Sequence, residues 1–285
     1  MILSRGQMKI LCRAVFVLPI LATALPLVAQ IAAPNSSGVA MGHLHLVVRD
    51  LETQKRFWVN VMGATPTKLA NGLMLPGVVI MFRQGQPTAG TKGSVVNHIA
   101  FGVPDMKSTI TRMKAAGANV VTQTEVGDGK ITTDYYYNNQ QKANQAIIMG
   151  PDDVRIELTE DTAQKLPVVF NHIHFSVGPI VEMKDWYVKT FGATPSTRGS
   201  FESADLPGVN LSFGANRGDA PTKGRSLDHI GFEVKELEAF CKKLEAAGIK
   251  FDVPYHAVPQ VGLSVAFITD PWGTYIELTE GLDKI

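Results

Sequence analysis

The sequence predicts an α+β fold in which four βαβββ units are paired into two domains, and three observations support this. The chain is a tandem repeat, because HLHLVV at His43 returns as HIHFSV at His172. Each copy divides again, since NHIAFGV at Asn97 and DHIGFEV at Asp228 open further units of the same kind. Each unit runs from an apolar strand through an amphipathic helix into short strands of alternating polarity.

The first 33 residues predict a signal peptide and a short leader. Arg5, Lys9 and Arg13 occur without an acidic residue, and a mostly apolar stretch follows to Ala29. This order is typical of a secretory signal, and the stretch is short for a membrane span of about 20 residues, so an uncleaved anchor is the weaker alternative. We therefore expect a periplasmic or secreted protein with no membrane association after cleavage.

The helix boundaries of the first repeat follow from capping residues. Asp50 predicts the start of a helix that ends at Gly63, and Asp105 predicts the start of another that ends at Gly117. Aspartate accepts hydrogen bonds from the first backbone amides of a helix, and glycine adopts the left-handed conformation that follows its end.

The two repeats are placed at 41–161 and 168–281, and the first is the longer. Its additional residues are expected within Glu125–Gln145, a segment that contains three consecutive tyrosines at Tyr135 to Tyr137. Such an insertion forms either a lid over a binding site or an exposed loop.

Composition limits the function classes. The net charge is +1 without a long basic run, which disfavours nucleic acid and anionic membranes as partners. Of the two cysteines, Cys12 lies in the signal segment, so the mature chain keeps Cys241 alone and must be stabilised by its core instead of a disulfide. The expected partner is a small-molecule substrate, and homo-oligomerisation stays open.

Four motifs carry a resemblance to a known family: HLHLVVRDLETQKRFW, NHIAFGVPD, DHIGFEVKEL, and DPWGTYIELTE with its partner GPDDVRIELTE. In this order, over residues 41–281, they resemble the vicinal oxygen chelate superfamily of glyoxalase I, extradiol dioxygenases, and fosfomycin and bleomycin resistance proteins. The resemblance implies that the paired units form two cup-shaped domains, with metal ligands pointing inward from the first and last strands.

The resemblance also implies which residues bind metal. The family ligand on a first strand stands seven residues before the acidic residue that ends the strand, and a glutamate on the closing strand completes the set. Pairing the units within each repeat gives two expected sets: His43, His98 and Glu157, and His172, His229 and Glu277. Where glyoxalase I has a further glutamate, this sequence has Met81 and Ser212.

Two imidazoles and one carboxylate form the facial triad suited to non-haem Fe(II), with open positions for a bidentate substrate and dioxygen. The same ligands suit Mn(II), or Zn(II) with a bound water. We therefore expect a divalent metal cofactor, with Fe(II) favoured. The alternative is a metal-free binding cup whose polar residues form hydrogen bonds only.

The second histidine of each HxH pair shares a strand face with the first, so His45 and His174 are expected to point into the cups. They are candidate acid or base groups. The alternatives are a hydrogen-bonded core residue, or an exchange in which His45 is the ligand and His43 is not.

Four more residues are candidates for the pocket. Tyr255 and His256 are expected on a loop at its rim, and we include both in the predicted catalytic set. Tyr275 and Arg155 precede the closing glutamates by two residues, so each either orients a substrate or packs.

Three functions follow from the resemblance. The first is an exported metal-dependent dioxygenase acting on a small bidentate oxygen substrate. Its ring-cleaving relatives carry a tyrosine upstream of the closing glutamate, where this chain has Phe267 and Ile147, which puts catechol cleavage in doubt. The second is a glyoxalase-like lyase or isomerase, weakened by the missing fourth ligand. The third is a non-catalytic, resistance-type protein that binds a small molecule.

Overall fold

The structure, a computed structural model, describes residues 30–215 and 218–285, so the predicted signal peptide lies almost wholly outside the described residues. It confirms the α+β fold of four units forming two curved sheets. Among the described residues, no helix has the length and apolar composition needed to cross a membrane.

The four units follow one another along the chain. Unit 1 comprises β1 (Val39–Val48), α1 (Leu51–Arg56, continued by a π-helical turn at Phe57–Val61), β2 (Thr65–Pro66), β3 (Gly72–Leu75) and β4 (Val78–Gln84). Unit 2 comprises β5 (Val96–Val103), α2 (Met106–Ala115), β6 (Asn119–Val120), α3 (Thr122–Glu125), β7 (Tyr136–Asn138), β8 (Ala143–Gly150) and β9 (Val154–Glu160). Unit 3 comprises β10 (Val169–Ser176), α4 (Ile180–Phe191), β11 (Thr194–Arg198), β12 (Phe201–Leu206) and β13 (Val209–Gly214). Unit 4 comprises β14 (Leu227–Val234), α5 (Leu237–Ala246), β15 (Phe251–Val258), β16 (Leu263–Thr269) and β17 (Tyr275–Glu280).

The predicted helix starts are confirmed. The Asp50 carboxylate accepts a hydrogen bond of 2.6 Å from the Thr53 amide, and Asp105 accepts one of the same length from Ser108. Both caps place their helix directly after the first strand of the unit, on the outer face of the sheet.

The expected pairing of units within each sequence repeat is wrong. Unit 1 pairs with unit 4 through antiparallel β1 and β14, which gives an eight-stranded sheet in the order β15-β16-β17-β14-β1-β4-β3-β2. Unit 2 pairs with unit 3 through β5 and β10, in a nine-stranded sheet in which β11-β12-β13-β10-β5-β9-β8-β6 follow one another and β7 joins β8. We call these the first cup (units 1 and 4) and the second cup (units 2 and 3).

The hydrophobic core lies between the helices and the outer faces of the sheets. Tyr187 on α4 is fully buried, and its hydroxyl donates a hydrogen bond of 2.9 Å to Asp270, in the turn between β16 and β17. Because α4 belongs to the second cup and Asp270 to the first, this contact ties the cups together. A buried hydroxyl needs such a partner.

Glu233 on β14 makes the stability of the fold depend on pH. Its buried carboxylate accepts hydrogen bonds from the Gly281 and Leu282 amides, 2.9 and 3.2 Å long. Burial raises the pKa of Glu233 from 4.5 to about 7. Between these two pH values the folded protein keeps a proton on Glu233 that the unfolded chain has released. That contribution to stability is present below pH 4.5 and is lost as the pH rises to 7.

We expect the free energy of unfolding of the wild type, relative to Glu233→Gln, to fall by up to about 3 kcal/mol across this window. Urea denaturation of both proteins at the two ends of the window measures the difference. A difference that does not change with pH would contradict the expectation.

Candidate metal centre and its counterpart

The four first strands bring the predicted ligands together in sets other than those expected. The first site, in the first cup, contains His43, His45, His229 and Glu277. The second site, in the second cup, contains His98, His172, His174 and Glu157. The predicted grouping of His43 with His98, and of His172 with His229, is wrong, because β1 pairs with β14 and β10 pairs with β5.

Three donors converge closely in the first site. Glu277 Oε2 lies 3.1 Å from His43 Nε2 and 2.8 Å from His229 Nε2. Donors bound at 2.0 to 2.2 Å in neighbouring positions of an octahedron are about 3 Å apart. The donor atoms of His43, His45, His229 and Glu277 all lie within 4.8 Å of one another. The residues present therefore fit a divalent metal ion.

Asp228 orients one of these ligands. Its carboxylate lies 2.7 Å from His229 Nδ1, so it accepts the Nδ1 proton and leaves Nε2 facing Glu277. A carboxylate behind a histidine is the usual outer partner of a metal ligand. Burial acts against the charged form of His229, but the hydrogen bonds to Asp228 and Glu277 outweigh it and raise its pKa. Asp228 was not among the predicted site residues, although its position directly before the predicted ligand His229 is a signal that the sequence contains.

His45 fills the side of the first site where the fourth family ligand is missing. It lies opposite His229 in the β1–β14 register and beside Met81 in the β1–β4 register. Neither ring nitrogen has a hydrogen-bond partner among the described residues. Burial lowers the pKa of His45 to about 3, so the ring is neutral and offers a lone pair. A neutral ring of this kind is poorly suited to act as a general base, and it lies where it can bind a metal or pack beside one.

The carboxylate of the second site is held differently. Glu157 lies 3.5 Å from His98 Nε2 and 3.7 Å from His172 Nε2, through two different oxygens. Its Oε1 accepts hydrogen bonds of 2.9 Å from Gln145 and from Thr159. The three histidine donors lie within 4.8 Å of one another, but Glu157 is not part of that group.

Two arginines enter the second site. Arg198 Nη2 lies 3.6 Å from Glu157 Oε1, and Arg155 Nη1 lies 3.0 Å from His98 Nδ1 and donates to Asn97 Oδ1 at the same distance. Burial lowers the pKa of His98, in contrast to the raised pKa of His229. Arg155 was a sequence candidate, whereas Arg198, on the β11 edge hairpin, carried no sequence signal.

The geometry agrees with comparisons to known proteins. The sequence profile of the Glyoxalase/Bleomycin resistance protein/Dioxygenase superfamily matches residues 40–158 and 169–278. The chain belongs to this superfamily. A comparison with curated protein sequences found no match.

Solved structures of the superfamily share the fold. Glyoxalase I from Zea mays matches with a TM-score of 0.66 and 16% identity, covering 86% of this chain and 93% of that chain. A candidate dioxygenase from Bacillus subtilis subsp. subtilis str. 168 matches with a TM-score of 0.60 and 12% identity, covering 90% of this chain and 87% of that chain. At these identities the likeness establishes the fold and leaves the reaction open.

The first site opens into a cavity of about 630 Å³. Its apolar wall consists of Val258, Val261, Leu263, Val265 and Phe267. Tyr275 stacks on Phe267 of this wall, with ring centroids 5.2 Å apart, and its ring lies 5.6 Å from that of His229. Lys223 Nζ lies 4.1 Å from the Tyr275 ring centroid. Burial raises the pKa of Tyr275 to about 12, so it is a hydrogen-bond donor at neutral pH.

Tyr255 and His256, predicted as catalytic residues on a loop, do not line either cavity. Both residues lie on the edge strand β15 and not on a loop. Tyr255 lies beside α5 residues such as Lys242, and His256 is exposed, with its Nδ1 3.1 Å from the Pro254 carbonyl. The predicted loop at the pocket rim is wrong, and the geometry gives no support to the predicted catalytic role of this pair.

The second site opens into a polar cavity of about 480 Å³. The insertion in the first repeat forms part of its wall through Tyr136, Asn138 and Gln140. Instead of a lid or a plain exposed loop, this part of the insertion forms a strand, β7, beside β8 and contributes to the cavity wall. Tyr137, between these residues, is 56% exposed and points away.

Proposed function

We propose that the protein is an exported, metal-dependent oxidoreductase of the dioxygenase type, with its single metal ion in the first site. His43, His229 and Glu277 would hold the ion, and Fe(II) is the favoured metal. The observation that carries the proposal is the approach of Glu277 Oε2 to both imidazoles, at 3.1 and 2.8 Å, inside a buried cluster. A metal held by these groups supplies coordination positions for two oxygen atoms of a substrate.

The cavity beside the site supports a substrate with an apolar body and an oxygen-rich end. Phe267 and the neighbouring aliphatic side chains exclude water from one wall. Lys223 and Arg83 add positive charge where the cavity is polar, which favours an acidic group on the substrate. Tyr275 can donate its hydroxyl proton in a hydrogen bond to a substrate oxygen.

A glyoxalase-like lyase or isomerase is the second candidate, and the position of His45 favours it. With His45 as a fourth ligand, the first site would offer four protein donors, as many as in the glyoxalase I set that has a further glutamate. An octahedral ion would then keep two positions for a chelating substrate, with none left for dioxygen. The number of protein ligands therefore distinguishes the two chemistries.

Anaerobic reconstitution of the purified protein with Fe(II), Mn(II) or Zn(II) tests the proposal. Oxygen uptake is then followed with a panel of catechols, and product formation without oxygen is followed with 2-oxoaldehydes and a thiol. Uptake that depends on Fe(II) supports the dioxygenase, and turnover with Zn(II) or Mn(II) in the absence of oxygen supports the lyase or isomerase. A protein that binds none of the three ions contradicts both.

The second candidate requires His45 as a ligand, so it predicts that His45→Ala weakens metal binding by about 10- to 100-fold, the range measured when support of a metal site is lost. The physical reason is the loss of a neutral, buried nitrogen that has no other partner. His174→Ala is the matched control, because His174 occupies the same position in the second cup and should leave metal affinity unchanged. Calorimetric titration of both proteins with Mn(II) gives the comparison; equal affinities would remove His45 from the ligand set.

A further inference from the structure

We infer that the second site is a metal-free cup in which Arg155 and Arg198 take the place of the cation, so that the protein binds one metal ion per chain. The two cups descend from one repeat pattern and keep the same histidines and glutamate. Their charged neighbours differ, and this difference determines which cup can hold an ion.

Arg198 already balances the charge of the Glu157 carboxylate. The guanidinium lies 3.6 Å from Glu157 Oε1 and donates a hydrogen bond of 3.2 Å to Thr159, which itself donates to the same oxygen. An arginine is charged in a protein at neutral pH. A divalent ion would therefore meet a like charge and a carboxylate whose Oε1 already accepts hydrogen bonds.

Arg155 places a positive charge beside one of the histidines of the second site. Its Nη1 lies 3.0 Å from His98 Nδ1, and a guanidinium only donates hydrogen bonds. Asn97 Oδ1, an acceptor, lies at the same distance from Nδ1 and also accepts from Arg155, so these neighbours do not hold the proton of His98 on one nitrogen. The second site therefore lacks the carboxylate that keeps Nε2 free to face a metal.

The first site has the opposite arrangement at both positions. Asp228 stands where the second cup has Asn97, and it draws the His229 proton to Nδ1. Tyr275 stands where the second cup has Arg155, and it brings no charge. The carboxylate distances agree, since they are 2.8 and 3.1 Å in the first site and 3.5 and 3.7 Å in the second.

Exchange of these residues tests the inference. The triple variant Asn97→Asp, Arg155→Tyr, Arg198→Leu gives the second cup the neighbours of the first at the positions of Asp228 and Tyr275, and it replaces the guanidinium of Arg198 by an uncharged side chain. Metal per chain is measured by inductively coupled plasma mass spectrometry after reconstitution with Mn(II) or Zn(II) and removal of free ion. We expect one ion per chain for the wild type and two for the triple variant.

Two single variants keep the test decisive if the triple variant does not fold. Glu157→Gln should still bind one ion, whereas Glu277→Gln should bind none. Two ions on the wild type, reduced to one by Glu157→Gln, would overturn the inference, as would a folded triple variant that still binds one. A wild type that binds no ion contradicts the proposed function instead, and a gain of one ion by the triple variant still supports the inference.

Discussion

Glu277→Ala is expected to abolish metal binding, with affinity for Mn(II) or Fe(II) at least about a hundredfold weaker than in the wild type, because loss of an outer partner alone costs 10- to 100-fold. Glu277 is the only carboxylate among the four donors of the first site. Its removal leaves neutral imidazoles that cannot balance a divalent charge. His43 and His229 hold the pKa of Glu277 far below its usual value against the opposing effect of burial, so the carboxylate is charged and ready to bind.

The matched control is Glu157→Ala in the second site, which should keep the wild-type metal content. Equilibrium dialysis with metal analysis measures both variants, and Glu277→Gln repeats the test without opening a cavity. If Glu277→Ala keeps its metal while Glu157→Ala loses it, the two sites have been assigned in the wrong order.

Gly231→Ala is expected to displace His43 and to weaken metal binding about tenfold or more, on the range found for support residues of metal sites. Gly231 lies directly opposite His43 in the β1–β14 register, and a β-carbon there would overlap the buried imidazole ring. Overpacking of this kind in a packed interior costs about 1 to 3 kcal/mol of folding free energy. Both effects have one cause, the loss of the space that the ring occupies.

The equivalent position in the second cup is Ala100, opposite His172. Ala100→Gly is therefore the control, with no change expected in metal content. Thermal unfolding and metal titration of the two variants measure the effects, and a Gly231→Ala protein with wild-type metal affinity would refute the expectation.

Much of the fold followed from local sequence patterns. The helix caps at Asp50 and Asp105 form as predicted, because a cap depends only on residues a few positions away. The predicted loop at Tyr255 and His256 was wrong, because this segment forms an edge strand with bulged pairing to β16, and its side chains do not reach the cavity. Strand pairing of that kind depends on a partner distant in sequence.

The sequence by itself determined the family, the four units and the residue types at every predicted ligand position, since each of the six predicted ligands lies in one of the two sites. It did not determine which ligands share a site. The first strands of units 1 and 3 have the same pattern, so each could pair with unit 2 or unit 4 without changing any local spacing.

Only the tertiary structure decided the pairing, through contacts between distant segments. The segment that joins units 1 and 2 runs beside the segment that joins units 3 and 4. The Thr88 amide donates to the Gly224 carbonyl at 2.8 Å, and the Ser226 amide donates to the Ala89 carbonyl at 2.9 Å. The same long-range packing brings Arg198 from a hairpin of unit 3 to a glutamate of unit 2. Charge acts through space, and therefore the difference between the two cups arises only after the units have paired.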